Sequence, residues 1–161
     1  MKLGVLFAVA LMVIGLAAQN PLESGKSQWV DVVALPPLKV TGAGSSKTVL
    51  QFRVKPTMHI NSHTPHSDLL IPTTLDLPTD KGLKLNPVYP SGHDITLPFD
   101  KTEKLNVYTG DFSVEVDAAA LKSAAAGKST VPAVLHYQAC NDSSCFPPKS
   151  LKFDLEVNVA R

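Results

Sequence analysis

The chain has 161 residues, of which 44% are hydrophobic and 18% charged, so it can bury one hydrophobic core but not several. Its 15 Lys and Arg are nearly balanced by 14 Asp and Glu. No basic block is present, which argues against a nucleic-acid partner because phosphate binding depends on clustered positive charge. The 13 Pro and 9 Gly are spread through the chain and favour short strands separated by turns over a helical bundle.

The beginning of the chain has the pattern of a signal peptide. Lys2 gives a positive start, and the apolar run from Leu3 to Leu16 leads to small residues, so we expect cleavage after Ala17 or Ala18. A membrane anchor is the alternative, but about 14 apolar residues are fewer than the roughly 20 that span a bilayer as a helix. The sequence therefore predicts a signal peptide (1–18), a linker (19–27) and one exported domain (28–161) without membrane insertion after cleavage.

Alternation of apolar and polar residues predicts about eight β-strands. The clearest case is at the end of the chain, where Leu151, Phe153 and Leu155 alternate with charged residues, as in a strand with one buried face. The segment 118–126 is either a short helix or a loop. This spacing predicts an all-β, immunoglobulin-like antiparallel β-sandwich. The predicted strands are 29–35, 50–54, 69–77, 83–89, 104–108, 112–116, 131–139 and 151–159. The aromatic residues expected to fill the sandwich are Trp29, Tyr89, Tyr108 and Phe153.

Two cysteines, Cys140 and Cys145, enclose four residues that favour turns. In an oxidising compartment we expect a disulfide, which requires the chain to reverse because bridged Cα atoms lie about 4.4 to 6.8 Å apart. The spacing differs from the thioredoxin motif, in which two residues separate cysteines at the start of a helix. A loop this short contributes only about 2 kcal/mol of chain-entropy stabilisation. The residues alone leave two interpretations open, an inert structural bridge and an exchangeable one.

The hairpin that carries the cysteines needs a shift of register. If Cys140 lies opposite Cys145, each odd-numbered residue of one strand lies opposite an even-numbered residue of the other. The apolar residues of both flanking strands are odd-numbered, however, and they must share one core face. Pro147 and Pro148 lack N–H donors, so we expect a bulge or break after Cys145. Such a kink would expose the sulfur of Cys145, whereas Cys140 ends a strand that continues from the core.

At these residues the chain resembles the N-terminal periplasmic domain of the thiol:disulfide interchange protein DsbD. The likeness is carried by Tyr137-Gln138-Ala139-Cys140 before the turn and Cys145-Phe146-Pro147-Pro148 after it. It extends from about Gln28 to Val159. Further segments agree in order along the chain: His59-Ile60-Asn61-Ser62, Ile71-Pro72-Thr73, Tyr89-Pro90-Ser91-Gly92, Pro98-Phe99, Lys104-Leu105 and Val107-Tyr108.

The resemblance implies a periplasmic thiol-disulfide oxidoreductase domain that uses one cysteine pair and no cofactor. It would pass reducing equivalents from a thioredoxin-like donor to oxidised extracytoplasmic proteins. By position, Cys145 matches the cysteine that forms the mixed disulfide with partners, and Cys140 the one that resolves it. The family covers its disulfide with a cap loop bearing an aromatic residue, which maps to Phe99. Tyr137 and Phe146 are the other expected cap or partner contacts.

The chain departs from the family pattern in three respects. Four residues separate the cysteines, where the best-known family member has five, and Leu97-Pro98 stands where acidic residues precede the cap aromatic. The membrane and thioredoxin-like domains are missing, so the donor and a membrane electron carrier are expected on separate chains. The alternative function that stays open is a secreted β-sandwich for binding or assembly, with an inert disulfide.

Histidines form a second group of candidate functional residues. Met58, His59, His63 and His66 could attract a soft metal, but a dispersed loop of such residues is weak support, so no metal site is predicted. His136 is predicted to be a surface residue rather than a base. No nucleophile elbow and no His-Glu-x-x-His motif occurs in the sequence, which argues against a hydrolase.

Overall fold

The computed structural model describes residues 29–42, 45–78, 82–98 and 100–160, and within these ranges it contains twelve β-strands in three four-stranded sheets. The expected signal peptide and linker lie outside the described residues. Over the same ranges, no helix is long and apolar enough to cross a bilayer.

The first sheet is antiparallel throughout, with the strand order β1-β3-β9-β6. Along β3, Leu50 and Phe52 are buried while Gln51 and Arg53 are exposed, as the alternation predicted. Pro87 lies in an edge strand of this sheet, where a missing N–H donor is tolerated. The four strands are β1 (Val30–Ala34), β3 (Ser45–Val54), β6 (Leu83–Val88) and β9 (Asp111–Ala120).

The second sheet has the order β2-β12-β10-β5 and contains a parallel pair. Its members are β2 (Leu38–Thr41), β5 (Thr74–Asp76), β10 (Gly127–Tyr137) and β12 (Lys149–Ala160). The odd-numbered apolar residues of β12 from Leu151 to Val159 are all buried, which confirms the prediction for the end of the chain. The parallel pairing of β2 with β12 is the one departure from the antiparallel arrangement among the described ladders.

Phe52 joins the two sheets at the centre of the sandwich. Its ring centroid lies 5.3 Å from that of Phe112 in the same sheet and 5.7 Å from that of Phe153 in the facing sheet. Phe153 and Tyr108 are buried, whereas Trp29 and Tyr89 are half-buried and pack against the core. The prediction of an all-β, immunoglobulin-like β-sandwich is confirmed.

A third, short sheet carries the first cysteine. Its order is β11-β4-β8-β7, where β4 is His59–Asn61, β7 His93–Leu97, β8 Asp100–Tyr108 and β11 Ala139–Cys140. The segment predicted as one strand, 131–139, is divided at Gln138, since β10 belongs to the second sheet and β11 to the third. The chain therefore changes sheets immediately before Cys140.

Two other segments differ from the sequence prediction. In 69–77 only Thr74–Asp76 is a strand, and Leu69 is 92% exposed. In 118–126 the first residues complete β9, and the rest form a turn in which Leu121 N donates to Gly82 O at 2.8 Å. The loop alternative is thus the correct one for the second half of that segment.

Candidate functional site

Cys140 and Cys145 form a disulfide, and their Cα atoms lie 4.0 Å apart. Asn141 organises the turn between them. Its N–H donates to Ser144 O at 2.9 Å, and its Oδ1 accepts from the N–H groups of Ser143 and Ser144 at 2.9 and 2.8 Å. Side-chain bonding of an Asn to the backbone that follows is the reason such residues favour turns. The chain reversal predicted from the four turn residues is present.

The register shifts between the cysteine pair and the strands below it. Tyr137 lies opposite Lys149 in the β10–β12 ladder, whereas Cys140 lies opposite Cys145. Between these two pairs, the two residues 138–139 therefore lie opposite the three residues 146–148. The shift and its predicted position after Cys145 are both confirmed.

The two cysteines differ in exposure. Cys140 is 1% exposed, while Cys145 lies on the exposed side of the turn. Phe146, next to Cys145, is half-buried and packs on Trp29, with ring centroids 5.1 Å apart. Disulfide exchange requires a thiolate to reach one sulfur of the bridge, and among the described residues Cys145 is the more accessible of the two cysteines.

A chain of amide hydrogen bonds fixes the segments around the disulfide. Asn61 is 1% exposed, and its Nδ2 donates to Ile71 O at 3.0 Å and to Gln138 Oε1 at 3.2 Å. Gln138 Nε2 in turn donates to Phe146 O at 3.3 Å. These bonds tie the loop after β4 to the residue that follows Cys145. Local sequence carries no signal for this network beyond the polar residue types, because it depends on contacts between segments that are far apart in the chain.

His59 lies directly opposite Cys140 in the β4–β11 pair. It is 4% exposed, and its Nε2 has no hydrogen-bond partner among the described residues. Burial lowers the pKa of this imidazole; the charge of Asp142 opposes that shift, and His93 adds to it. His59 is therefore a neutral imidazole at neutral pH. In the sequence, His59 belongs both to the histidine cluster considered for a metal and to the segment His59-Ile60-Asn61-Ser62 of the family pattern.

The other two histidines of the predicted cluster have separate partners. His63 Nδ1 lies 3.0 Å from Thr73 O, and its ring stacks on Tyr89 with centroids 3.7 Å apart. His66 Nε2 lies 2.8 Å from Asp94 Oδ1. In the part of the chain that the structure describes, no group of three or more His, Cys, Asp or Glu side chains could hold a metal ion.

Asp94 is one of two acidic residues close to Phe99 in the sequence, the other being Asp100. Hydrogen bonds from Asn106 and then His66 lower its pKa, so the side chain is a carboxylate at neutral pH. Both bonds occupy the same oxygen, Oδ1. A carboxylate held in this way is a poor proton donor for a leaving thiolate.

The three residues expected as cap or partner contacts have different positions. Phe99 lies outside the described residues. Tyr137 is 0% exposed and belongs to the main core cluster, so its side chain fills the sandwich. Phe146 is half-buried and directly follows Cys145, so of the two described residues it is the one next to the exposed cysteine.

His136 is a partly exposed surface residue on β10, as predicted, and its contacts link three strands. Its Nε2 lies 3.0 Å from Asp76 Oδ2, and Ser150 Oγ lies 2.9 Å from its Nδ1. The array crosses β5, β10 and β12 on a solvated sheet face. A surface pair of this kind contributes about 0 to 1 kcal/mol.

The sandwich and its half-exposed disulfide at the end of a short third sheet are the features of a thiol-disulfide exchange domain. The family described as "Thiol:disulfide interchange protein DsbD, N-terminal" matches residues 30–157, and the chain belongs to this family. The family resemblance inferred from the sequence is confirmed. No curated protein sequence matches the chain significantly.

A solved structure shows the same fold as this chain. The N-terminal periplasmic domain of ScsB from Proteus mirabilis is similar with a TM-score of 0.55 at 13% identity, over 86% of this chain and 49% of that one. This chain thus spans about half the length of the ScsB structure. The reduced N-terminal domain of DsbD from Neisseria meningitidis has a TM-score of 0.43 at 18% identity, over 77% of this chain and 85% of that one.

Proposed function

We propose that this protein works in the periplasm, passing reducing equivalents between a thioredoxin-like donor and oxidised extracytoplasmic proteins through Cys140 and Cys145. The observation that carries the proposal is a disulfide with one buried and one exposed cysteine, in a chain of the DsbD N-terminal family. We propose a membrane electron carrier as a further partner. Residues 1–18 direct export and are removed.

The exchange begins at Cys145. A partner thiolate attacks the Cys145 sulfur, the bond between the two cysteines breaks, and Cys140 leaves as a thiolate that takes up a proton. A second partner thiolate then attacks the partner sulfur of the mixed disulfide and releases Cys145. The partner ends as a disulfide, and this chain as a dithiol. The reverse sequence passes the electrons to an oxidised protein.

Docking sets the rate of this exchange. The described residues contain no helix whose N-terminus could lower a cysteine pKa. The surface next to Cys145 consists instead of half-buried Phe146 and exposed Pro147 and Pro148, an apolar rim for a thioredoxin-like surface. Tyr137 does not contact the partner directly; its buried side chain holds the end of β10 in place beneath this surface.

The test is reduction of the wild-type disulfide by a reduced thioredoxin-like protein, followed by alkylation of free thiols and mass measurement. We expect both cysteines to be alkylated, and faster than with glutathione at equal thiol concentration. The dithiol form should still unfold cooperatively, because so short a loop contributes only about 2 kcal/mol. Two results together would favour the alternative of a binding module with an inert disulfide: the disulfide resists reduction, and the protein unfolds when the disulfide is removed.

We also propose that Phe99, by its place in the family pattern, shields the disulfide from small thiols. Phe99→Ala should speed reduction by dithiothreitol about two- to tenfold, the change expected when a sulfur–aromatic contact of about 0.3 to 1.5 kcal/mol is lost. Stopped-flow measurement of the reduction rate checks this result. Val88→Ala, at a residue 41% exposed on β6, is the control and should reduce at the wild-type rate. Equal rates for Phe99→Ala and wild type would refute the shielding role.

A further inference from the structure

The face of the third sheet that holds Cys140 also holds a buried histidine. Ile60 and Ala139 are paired across β4 and β11, and both belong to the main core cluster. Since side chains alternate along a strand, the neighbouring pair, His59 and Cys140, points to the opposite face. Residues directly opposite on antiparallel strands have Cβ atoms about 4.5 to 5.5 Å apart. The imidazole of His59 is therefore a direct neighbour of the Cys140 sulfur.

The Nε2 atom of His59 lacks, among the described residues, a hydrogen-bond partner that a reduced cysteine could supply. Its Nε2 is buried and has no partner among the described residues, which is rare for a buried polar atom. In the disulfide form Cys140 has no proton to donate. Reduction places an S–H group on Cys140, at the face where the ring nitrogen is unpaired. In the reduced protein, the Cys140 thiol can therefore supply the hydrogen-bond partner that His59 Nε2 lacks among the described residues of the oxidised protein.

We propose that His59 is the proton acceptor for the Cys140 thiol, a role that rests on the exchange function proposed above. In the mixed disulfide between Cys145 and a partner, the Cys140 thiol gives its proton to His59 Nε2. The Cys140 sulfur then attacks the Cys145 sulfur, the bond between Cys145 and the partner breaks, and the partner leaves as a thiolate. The proton on His59 passes to that thiolate. In this step the Cys140 thiol is oxidised, Cys145 remains in a disulfide, and the partner sulfur is reduced to a thiol.

The charges around His59 suit this step. Two titratable groups act on it from neighbouring elements: Asp142 in the turn after β11, and His93 on β7, whose Nε2 lies 3.3 Å from Thr109 Oγ1. Burial lowers the pKa of His59 below its ordinary value, so the ring is neutral and able to accept a proton. The carboxylate of Asp142 favours the imidazolium that forms, and an imidazolium beside Cys140 in turn favours its thiolate.

Ellman's reagent isolates the resolving step without a protein partner. In the reduced protein, Cys145 attacks the reagent and releases one coloured thiolate, and Cys140 then resolves the mixed disulfide and releases a second. We expect His59→Gln to slow the second phase roughly 100-fold at neutral pH, the lower range for general acid–base catalysis, and to leave the first phase unchanged. The pH profile of the second phase should lose the inflection of the imidazole. His136→Gln, at a partly exposed histidine on β10, is the matched control and should behave as wild type.

A second measurement uses the wild-type protein and does not depend on the folding of a variant. NMR titration of the His59 ring should give different pKa values in the disulfide and dithiol forms, because only the dithiol form couples the ring to a titrating thiol. Identical values, or a second phase in His59→Gln as fast as in wild type, would overturn the role of His59. A second phase that depends on His59, in a protein that thioredoxin-like donors do not reduce, would support this role and contradict the proposed partner.

Discussion

Cys140→Ser should accumulate a covalent complex with a thioredoxin-like partner through Cys145, whereas Cys145→Ser should accumulate little. The reason is the difference in exposure, since Cys140 is 1% exposed and Cys145 lies open on the turn. A thiolate needs a line of approach to the sulfur that it attacks. Without Cys140 the mixed disulfide on Cys145 has no internal thiol to resolve it. Most of the Cys140→Ser protein should therefore migrate as a complex on a non-reducing gel.

The trapping experiment has internal controls. The partner should lack its own resolving cysteine, so that neither side can release the complex, and the double variant with both cysteines replaced should give no complex at all. Mass spectrometry of the digested complex should place the bond on Cys145. Equal trapping by the two single variants would show that the burial of Cys140 does not direct the attack. Absence of trapping by both would refute exchange through this pair.

Much of this site could be predicted from local sequence. The parity of apolar positions on either side of the cysteines required a register shift, and Pro147 and Pro148 marked the segment that contains it. Both conclusions need only the period of two along a strand and the missing N–H of proline. The exposure of Cys145 follows from the same break. The sandwich itself followed from alternation in long strands such as β12, whose odd-numbered apolar residues are all buried.

What could not be predicted depends on pairing between distant segments. Alternation continues from Val131 through Ala139, so nothing local reveals that the chain leaves the second sheet at Gln138. The strand β4 has only three residues, all buried, and so few positions give no period to detect. To predict that His59 lies opposite Cys140, one must know both that the chain changes sheets at Gln138 and that β4 exists. For this reason the sequence placed His59 in a local histidine cluster and in a family-like segment, but not beside Cys140.

Phe52→Ala should lower the free energy of unfolding by about 3 to 5 kcal/mol, the usual cost of removing a buried Phe side chain. Phe52 is 0% exposed and contacts Phe112 in its own sheet and Phe153 in the facing sheet. The truncation therefore opens a cavity at the junction of the two sheets, where neighbouring side chains relax only in part. Denaturant unfolding measured by tryptophan fluorescence would give the change in the midpoint.

Val49→Ala is the matched control, because Val49 lies on the same strand with 40% exposure and should change stability by only about 0.5 kcal/mol. The folded fraction of Phe52→Ala should still exchange its disulfide at the wild-type rate, since the cysteines lie on the third sheet and the turn beyond it. A loss of stability no larger than that of Val49→Ala would show that Phe52 does not join the two sheets. A slowed exchange in the folded fraction would instead show that the sandwich core controls the geometry at Cys145, because packing strain can pass from β10 through Gln138 to the cysteine pair.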